Sequence, residues 1–139
     1  MISIRKVTFV NYAKSGIIVR EIDGCSRVFE YLGNERLNVV TSVITFTEVL
    51  PKPMELRRHD VVNRYQNFLF ETEGITLLEV NNDIAQKAAE LRAKYGMKTP
   101  DALHVATALN VGASVFLTND FQLQRINDLP ILILDDLEL

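Results

Sequence analysis

Three acidic residues stand where a carboxylate is unexpected. Glu48 lies in VITFTEVL, where Thr41, Thr45 and Glu48 recur at i, i+4 and i+7 as one polar stripe against Ile44, Phe46, Val49 and Leu50. Asp101 opens TPDALHVATAL, a run apolar nearly all round, and Asp120 closes VFLTND. A carboxylate held against a core needs a cation or a hydrogen-bonded partner. A hard divalent ion meets that need: Mg²⁺ prefers a few carboxylates, with water and a substrate phosphate completing its shell. Such an ion activates water and offsets charge on a scissile phosphate. Taken singly, each acid has a simpler reading, as a first-turn helix acid, an Asx-turn acid or a solvated helix residue. The three together favour a metal site.

The segments around these acids must bring them to one place. Thr99 reads as a helix N-cap, Pro100 fits the first helical position, and Asp101 falls in the first turn, where the helix dipole favours a negative charge. Gly112 ends that helix in a left-handed turn. A strand over 114–118 follows, with Asn119 and Asp120 at its carboxyl end, so the two acids open on one rim. Upstream, a strand is expected over 6–10, a helix from Ile17 to a break at Gly24, a helix over 25–32 ended by Gly33, and a strand over 37–41. Ser42 caps the Glu48 helix, which Pro51 and Pro53 end. Residues 54–70 read as one mixed-charge helix with Leu56, Val61, Val62, Tyr65, Phe68 and Leu69 on its apolar side. After Gly74 come a strand over 75–80, a helix over 83–95 capped by Asn82 and closed by Gly96, and, past the central unit, a short polar helix over 121–126 and a strand over 131–134. Strands that are continuous apolar runs, alternating with helices, predict a mostly parallel sheet covered on both faces. In such sheets ligands bind at the carboxyl ends of the strands.

At 139 residues and 47% hydrophobic, the chain suits one domain, 1–139, with a substantial core. A net charge of −3 and a pI near 5.4 remove any global argument for nucleic-acid binding. A polyanion must therefore be held by metal or by a local patch. Arg57, Arg58 and Arg64, with Lys52 and His59, offer such a patch for the phosphates of a polyanion; an ordinary solvated helix face is the equal alternative. Cys25 is the single cysteine, which rules out an intramolecular disulfide and points to a reducing, cytoplasmic compartment. No apolar run reaches the ~18 residues of a membrane span. His104, one turn after Asp101, reads as a hydrogen-bonded core histidine in preference to a general acid. Tyr65, Phe68 and Phe70 read as core or dimer residues rather than base-stacking platforms.

The runs TSVITFTEVL at 41–50, TPDALHVATAL at 99–109 and VFLTND at 115–120 resemble the PIN domain, and especially the VapC-type ribonuclease toxins of prokaryotic toxin–antitoxin pairs. The resemblance extends from residue 37 to the C-terminus. It implies a three-layer α/β sandwich with a central, mostly parallel sheet of about five strands between helices. It also implies a Mg²⁺- or Mn²⁺-dependent endoribonuclease, a homodimer, and an antitoxin that blocks the site. Glu48 matches the family's second acid, Asp101 the third and Asp120 the fourth. Thr118 matches a small hydroxyl residue near the last strand end, and with Asn119 is expected to position substrate. The first acid is the departure: in VTFVNYA, Asn11 stands where the family has Asp, and Asp23 lies well past the strand. An asparagine oxygen facing a metal supplies a dipole in place of a charge, a loss of several kcal/mol at an effective dielectric of ~20, so weaker metal binding is expected. Two other readings stand beside the ribonuclease: a catalytically degenerate PIN domain that binds protein or RNA, and a metal-dependent hydrolase of DNA or small phosphate esters.

Overall fold

The computed structural model describes residues 6–9, 38–72, 75–113, 115–133 and 136. Strands β1 (Lys6–Phe9), β2 (Asn38–Ser42), β3 (Ile75–Leu78), β4 (Val115–Thr118) and β5 (Ile131–Ile133) form one sheet in the order β3-β2-β1-β4-β5. Every pairing is parallel, as the continuous apolar strands predict. β4 is buried at all four positions, the pattern of an inner strand covered on both faces. The expected helices between residues 17 and 32, and Asn11, lie outside the described residues.

Among the described residues the helices are α1 (Ile44–Val49), α2 (Pro51–Glu55), α3 (His59–Glu71), α4 (Asn82–Tyr95) and α5 (Thr99–Asn110), with a 3₁₀ turn, η1 (Phe121–Arg125), after β4. α5 lies against β2 and β4 and packs most extensively on α4. Ile84, Ala88 and Leu91 of α4 meet Ala102, Val105, Ala106 and Ala108 of α5 and Phe116 of β4 in the main core. Removing a side chain such as Leu91 from water contributes about 1.5–3 kcal/mol. A second cluster joins Val49 and Leu50 to Val62 and Tyr65 of α3.

α5 ends in a Schellman motif. Gly112 takes φ +65°, its N–H reaches Leu109 O at 3.1 Å, and the Ala113 N–H reaches Ala108 O at 2.9 Å. Gly96, also at φ +65°, closes α4 as expected.

The single helix expected over 54–70 is two. Pro51 ends α1 because it has no N–H to continue the ladder, and the same residue then serves as the first position of α2. The break falls at residues 56–58. There Arg57 N–H donates to Met54 O and Arg58 N–H to Pro53 O, a second Schellman motif in which Arg57 occupies the left-handed position at φ +53°. Two caps also shift by one residue. Asn81, extended at ψ 179°, caps α4 through Oδ1 to the Ile84 N–H at 2.9 Å, so Asn82 is already helical. Lys98, extended at ψ 150°, precedes α5 without a side-chain cap, so Thr99 is its first helical residue. The cap expected of Ser42 falls instead on Val43, which makes no side-chain cap bond; Ser42 Oγ, one residue earlier, accepts the Ile44 N–H at 3.2 Å.

Candidate functional site

The sheet order locates the site before any side chain is considered. β2 and β3 are added on one side of β1, and β4 and β5 on the other, so the topological switch point lies beside β1 at the carboxyl ends. Thr8 pairs with both Val40 and Phe116. Ser42 and Thr118, each two residues on, therefore stand level at that edge with β1 between them, roughly 10 Å apart. β2 leads through Val43 into the Glu48 helix, and β4 leads through Asn119 to Asp120.

Glu48 leaves α1 toward α5, which packs against it. Its side chain is 10% exposed, and Oε2 lies 3.0 Å from His104 Nε2. An ionised carboxylate only accepts hydrogen bonds, so His104 is the donor and carries its hydrogen on Nε2. Oε1 makes no hydrogen bond among the described residues. The polar stripe read from the sequence continues beneath: the Thr41 and Thr45 hydroxyls meet at 2.8 Å, both buried.

Asp101 is half-buried in the first turn of α5, three residues before His104 and hence on the same face. Asp120 is also half-buried. Its N–H donates to Thr118 Oγ1 at 3.0 Å and its Oδ1 caps η1 by accepting the Gln122 N–H at 3.0 Å. Thr118, expected to position substrate, is itself buried and shapes the turn that presents Asp120. Asn119 is half-buried between them. The turn is braced from behind. The Tyr95 hydroxyl accepts the Asn127 N–H at 3.1 Å, Arg125 donates to the Tyr95 carbonyl, and Lys94 pairs with Asp128 at 3.1 Å.

The structure thus joins Glu48 to α5, and through His104 to the turn that carries Asp101. It does not gather all three acids: among the described residues, no group of three or more His, Cys, Asp or Glu side chains could hold a metal ion together. The donor chemistry nevertheless fits a hard cation. A nearly buried carboxylate with one oxygen held by a hydrogen-bond donor and the other unengaged, and no Lys or Arg paired with it among the described residues, fits an ion that keeps part of its water shell.

The basic patch is thinner than its sequence suggests. Arg58 makes a two-pronged contact with Asp60, donating from Nε to Oδ1 and from Nη2 to Oδ2, each at 3.0 Å. That hydrogen bonding holds the Asp60 carboxyl down to about 2 and raises Arg58. Arg57 and Arg64 are exposed. Tyr65 is core, as expected, and Phe68 is half-buried; Phe70 is exposed and tilted against Phe46, ring centres 5.2 Å apart.

Sequence reasoning gave His104 a hydrogen-bonded core role but did not find its partner. A signal was present: Glu48 and His104 are each a polar side chain on an otherwise apolar helix, and two such groups satisfy one another most simply by pairing.

The PIN domain family pattern matches residues 16–129. A crystal structure of VapBC2 from Rickettsia felis bound to a DNA fragment from its promoter superposes with a TM-score of 0.70 at 18% identity, covering 92% of this chain and 97% of that one. A toxin–antitoxin complex from Klebsiella pneumoniae superposes with a TM-score of 0.63, also at 18% identity, covering 91% of this chain and 95% of that one. No curated protein matches the sequence. Among the described residues, no helix is long and apolar enough to cross a membrane. With the family pattern spanning most of the sequence and the parallel sheet aligning with solved examples, the fold is the PIN fold and the chain belongs to the PIN domain family.

Proposed function

We infer that the protein is a divalent-metal-dependent endoribonuclease, acting in the cytoplasm as the VapC-like toxin of a toxin–antitoxin pair. The observation that carries the reading is the Glu48 carboxylate, held by His104 against the α5 turn of Asp101, at the carboxyl edge of a parallel sheet. PIN domains are generally nucleases and typically use divalent metals. The antitoxin partner is supported by two solved structures of this fold, VapBC2 from Rickettsia felis and a toxin–antitoxin complex from Klebsiella pneumoniae. A homodimer is the expected assembly.

In this reading Glu48, Asp101 and Asp120 hold one or two Mg²⁺ or Mn²⁺ ions, with Asn11 offering a neutral oxygen in the place of the family's first acid. When bound, the metal supplies Lewis acidity at the scissile phosphate and a water nucleophile at neutral pH. The protein's own groups do the positioning. His104 fixes the Glu48 carboxylate, Thr118 fixes the turn before Asp120, and Asn119 reaches the substrate beside it. Arg57 and Arg64 hold flanking phosphates as point charges. The test is incubation of purified protein with single-stranded RNA and with DNA of the same sequence, in Mn²⁺ and then with a chelator. Cleavage of RNA alone, abolished by chelation, is expected. Equal cleavage of DNA would replace the ribonuclease with a less selective phosphodiesterase, since a ribonuclease that reads the 2′-OH discriminates between them.

Asn11 in place of the first acid favours a second reading, a degenerate PIN domain that binds protein or RNA without cutting it. Titration with Mn²⁺ by calorimetry separates the two. Binding tighter than about 1 mM, or −4.1 kcal/mol, with little gain from Asn11→Asp, excludes the degenerate site.

A further inference from the structure

The geometry points to His104 as a positioning residue that acts through Glu48, holding that carboxylate in the orientation in which its second oxygen meets the metal. The assignment rests on the metal-dependent reading above and names a residue outside the acidic set. His104 is fully buried on a helix whose other buried residues are Ala102, Val105, Ala106, Thr107 and Ala108. An aliphatic side chain would fill that space without bringing polar atoms into an apolar core, which costs free energy unless they are hydrogen-bonded. The imidazole's single hydrogen bond goes to Glu48 Oε2 at 3.0 Å, and Nδ1 has no partner among the described residues. The polarity of this ring therefore serves Glu48 alone.

The geometry on the Glu48 side has the matching form. Oε2 is fixed and Oε1 has no donor among the described residues. The arm that carries the carboxylate has several rotatable bonds, and a donor on the opposite helix selects one arrangement before the ion arrives. Groups that orient a ligating side chain in this way commonly change metal affinity by 10–100-fold when removed.

The experiment measures Mn²⁺ affinity by calorimetry, with thermal melting as the control for folding, on the full chain and on variants. Gln at 104 places an amide N–H near the position of Nε2, whereas Asn places one near Nδ1 and Leu places none. His104→Leu and His104→Asn are expected to weaken Mn²⁺ about tenfold or more, and His104→Gln to stay within about threefold of the parent. In the Glu48→Gln background, His104→Leu is expected to cause no further loss, because a residue that acts through another is silent once that other is gone. Should the Leu variant not fold, the contrast of Gln with Asn carries the test. The assignment is overturned if His104→Leu binds Mn²⁺ within about twofold of the parent, if Gln loses as much as Asn, or if the loss persists in the Glu48→Gln background. In each of these cases Glu48→Gln alone still weakens Mn²⁺ and the metal site stands. A parent protein that binds no Mn²⁺ overturns both the site and the role of His104.

Discussion

Glu48 shows most clearly how a residue's setting limits what it can do. One oxygen is held by His104 and the other is unengaged, so under the metal-dependent reading substitution should separate stability from chemistry. In Glu48→Gln the amide oxygen still accepts from His104 and melting should barely move, while Mn²⁺ affinity falls about tenfold or more. Calorimetry and melting on the same preparation check both halves. Asp60 carries a prediction of the opposite kind, on stability and not function. Its folded carboxyl sits at about 2, below its ordinary 3.8, because Arg58 hydrogen-bonds the charged form. A depressed carboxyl stabilises the fold above 3.8 and loses that contribution as pH falls toward 2. The melting-temperature gap between the parent and Asp60→Asn should therefore shrink between pH 5 and pH 2. The pair is exposed, so the gap should be small and should also shrink in high salt. The acids were legible as types out of place, and their partners were not. Fifty-six positions separate Glu48 from His104, and only the packing of α1 on α5 closes that gap.

The helices illustrate which local rules can be read from sequence and which are overridden. Gly112 and Arg57 occupy the same left-handed position of the same capping motif, at φ +65° and φ +53°. One is the residue the position favours and the other is not, so substitutions at the two should have opposite signs. Gly112→Ala meets nothing within 4 Å of the added methyl, so its cost is backbone strain alone, about 1 kcal/mol. Arg57→Gly should relieve a similar strain, larger than the added entropy of the unfolded glycine, and raise the melting temperature by about 4 °C. Under the ribonuclease reading it should also raise KM for RNA, since strain kept by a non-glycine residue is commonly offset by function. A lower melting temperature for Arg57→Gly would contradict the strain argument. The glycine was legible because glycine announces such turns. The break at residues 56–58 was not, because Leu56, Arg57 and Arg58 carry no turn signal and Pro53 sits inside α2.

At the scale of the molecule, the chain should unfold as one unit, with calorimetric and van't Hoff enthalpies in agreement, because α5 belongs to the core and also contacts β2 and β4. Under the ribonuclease reading, a molecule of net charge −3 must attract RNA through its local groups, and their number sets the salt dependence. Arg64→Ala should flatten the slope of log affinity against log salt by about 0.7, the value for one phosphate contact on a single strand. Arg58→Ala should change it less, because that guanidinium already faces Asp60. The parallel sheet was legible at this scale: continuous apolar strands leave few alternatives, and the order β3-β2-β1-β4-β5 puts Asp120, two residues past β4, beside the switch point. The measurement that bears most directly on the whole account is RNA cleavage in Mn²⁺ by the parent and by Asp101→Asn, with melting followed in parallel. Cleavage by the parent, reduced at least about 10²-fold in a variant that melts as the parent does, is the expected result. Cleavage at the parent rate by Asp101→Asn would contradict the account.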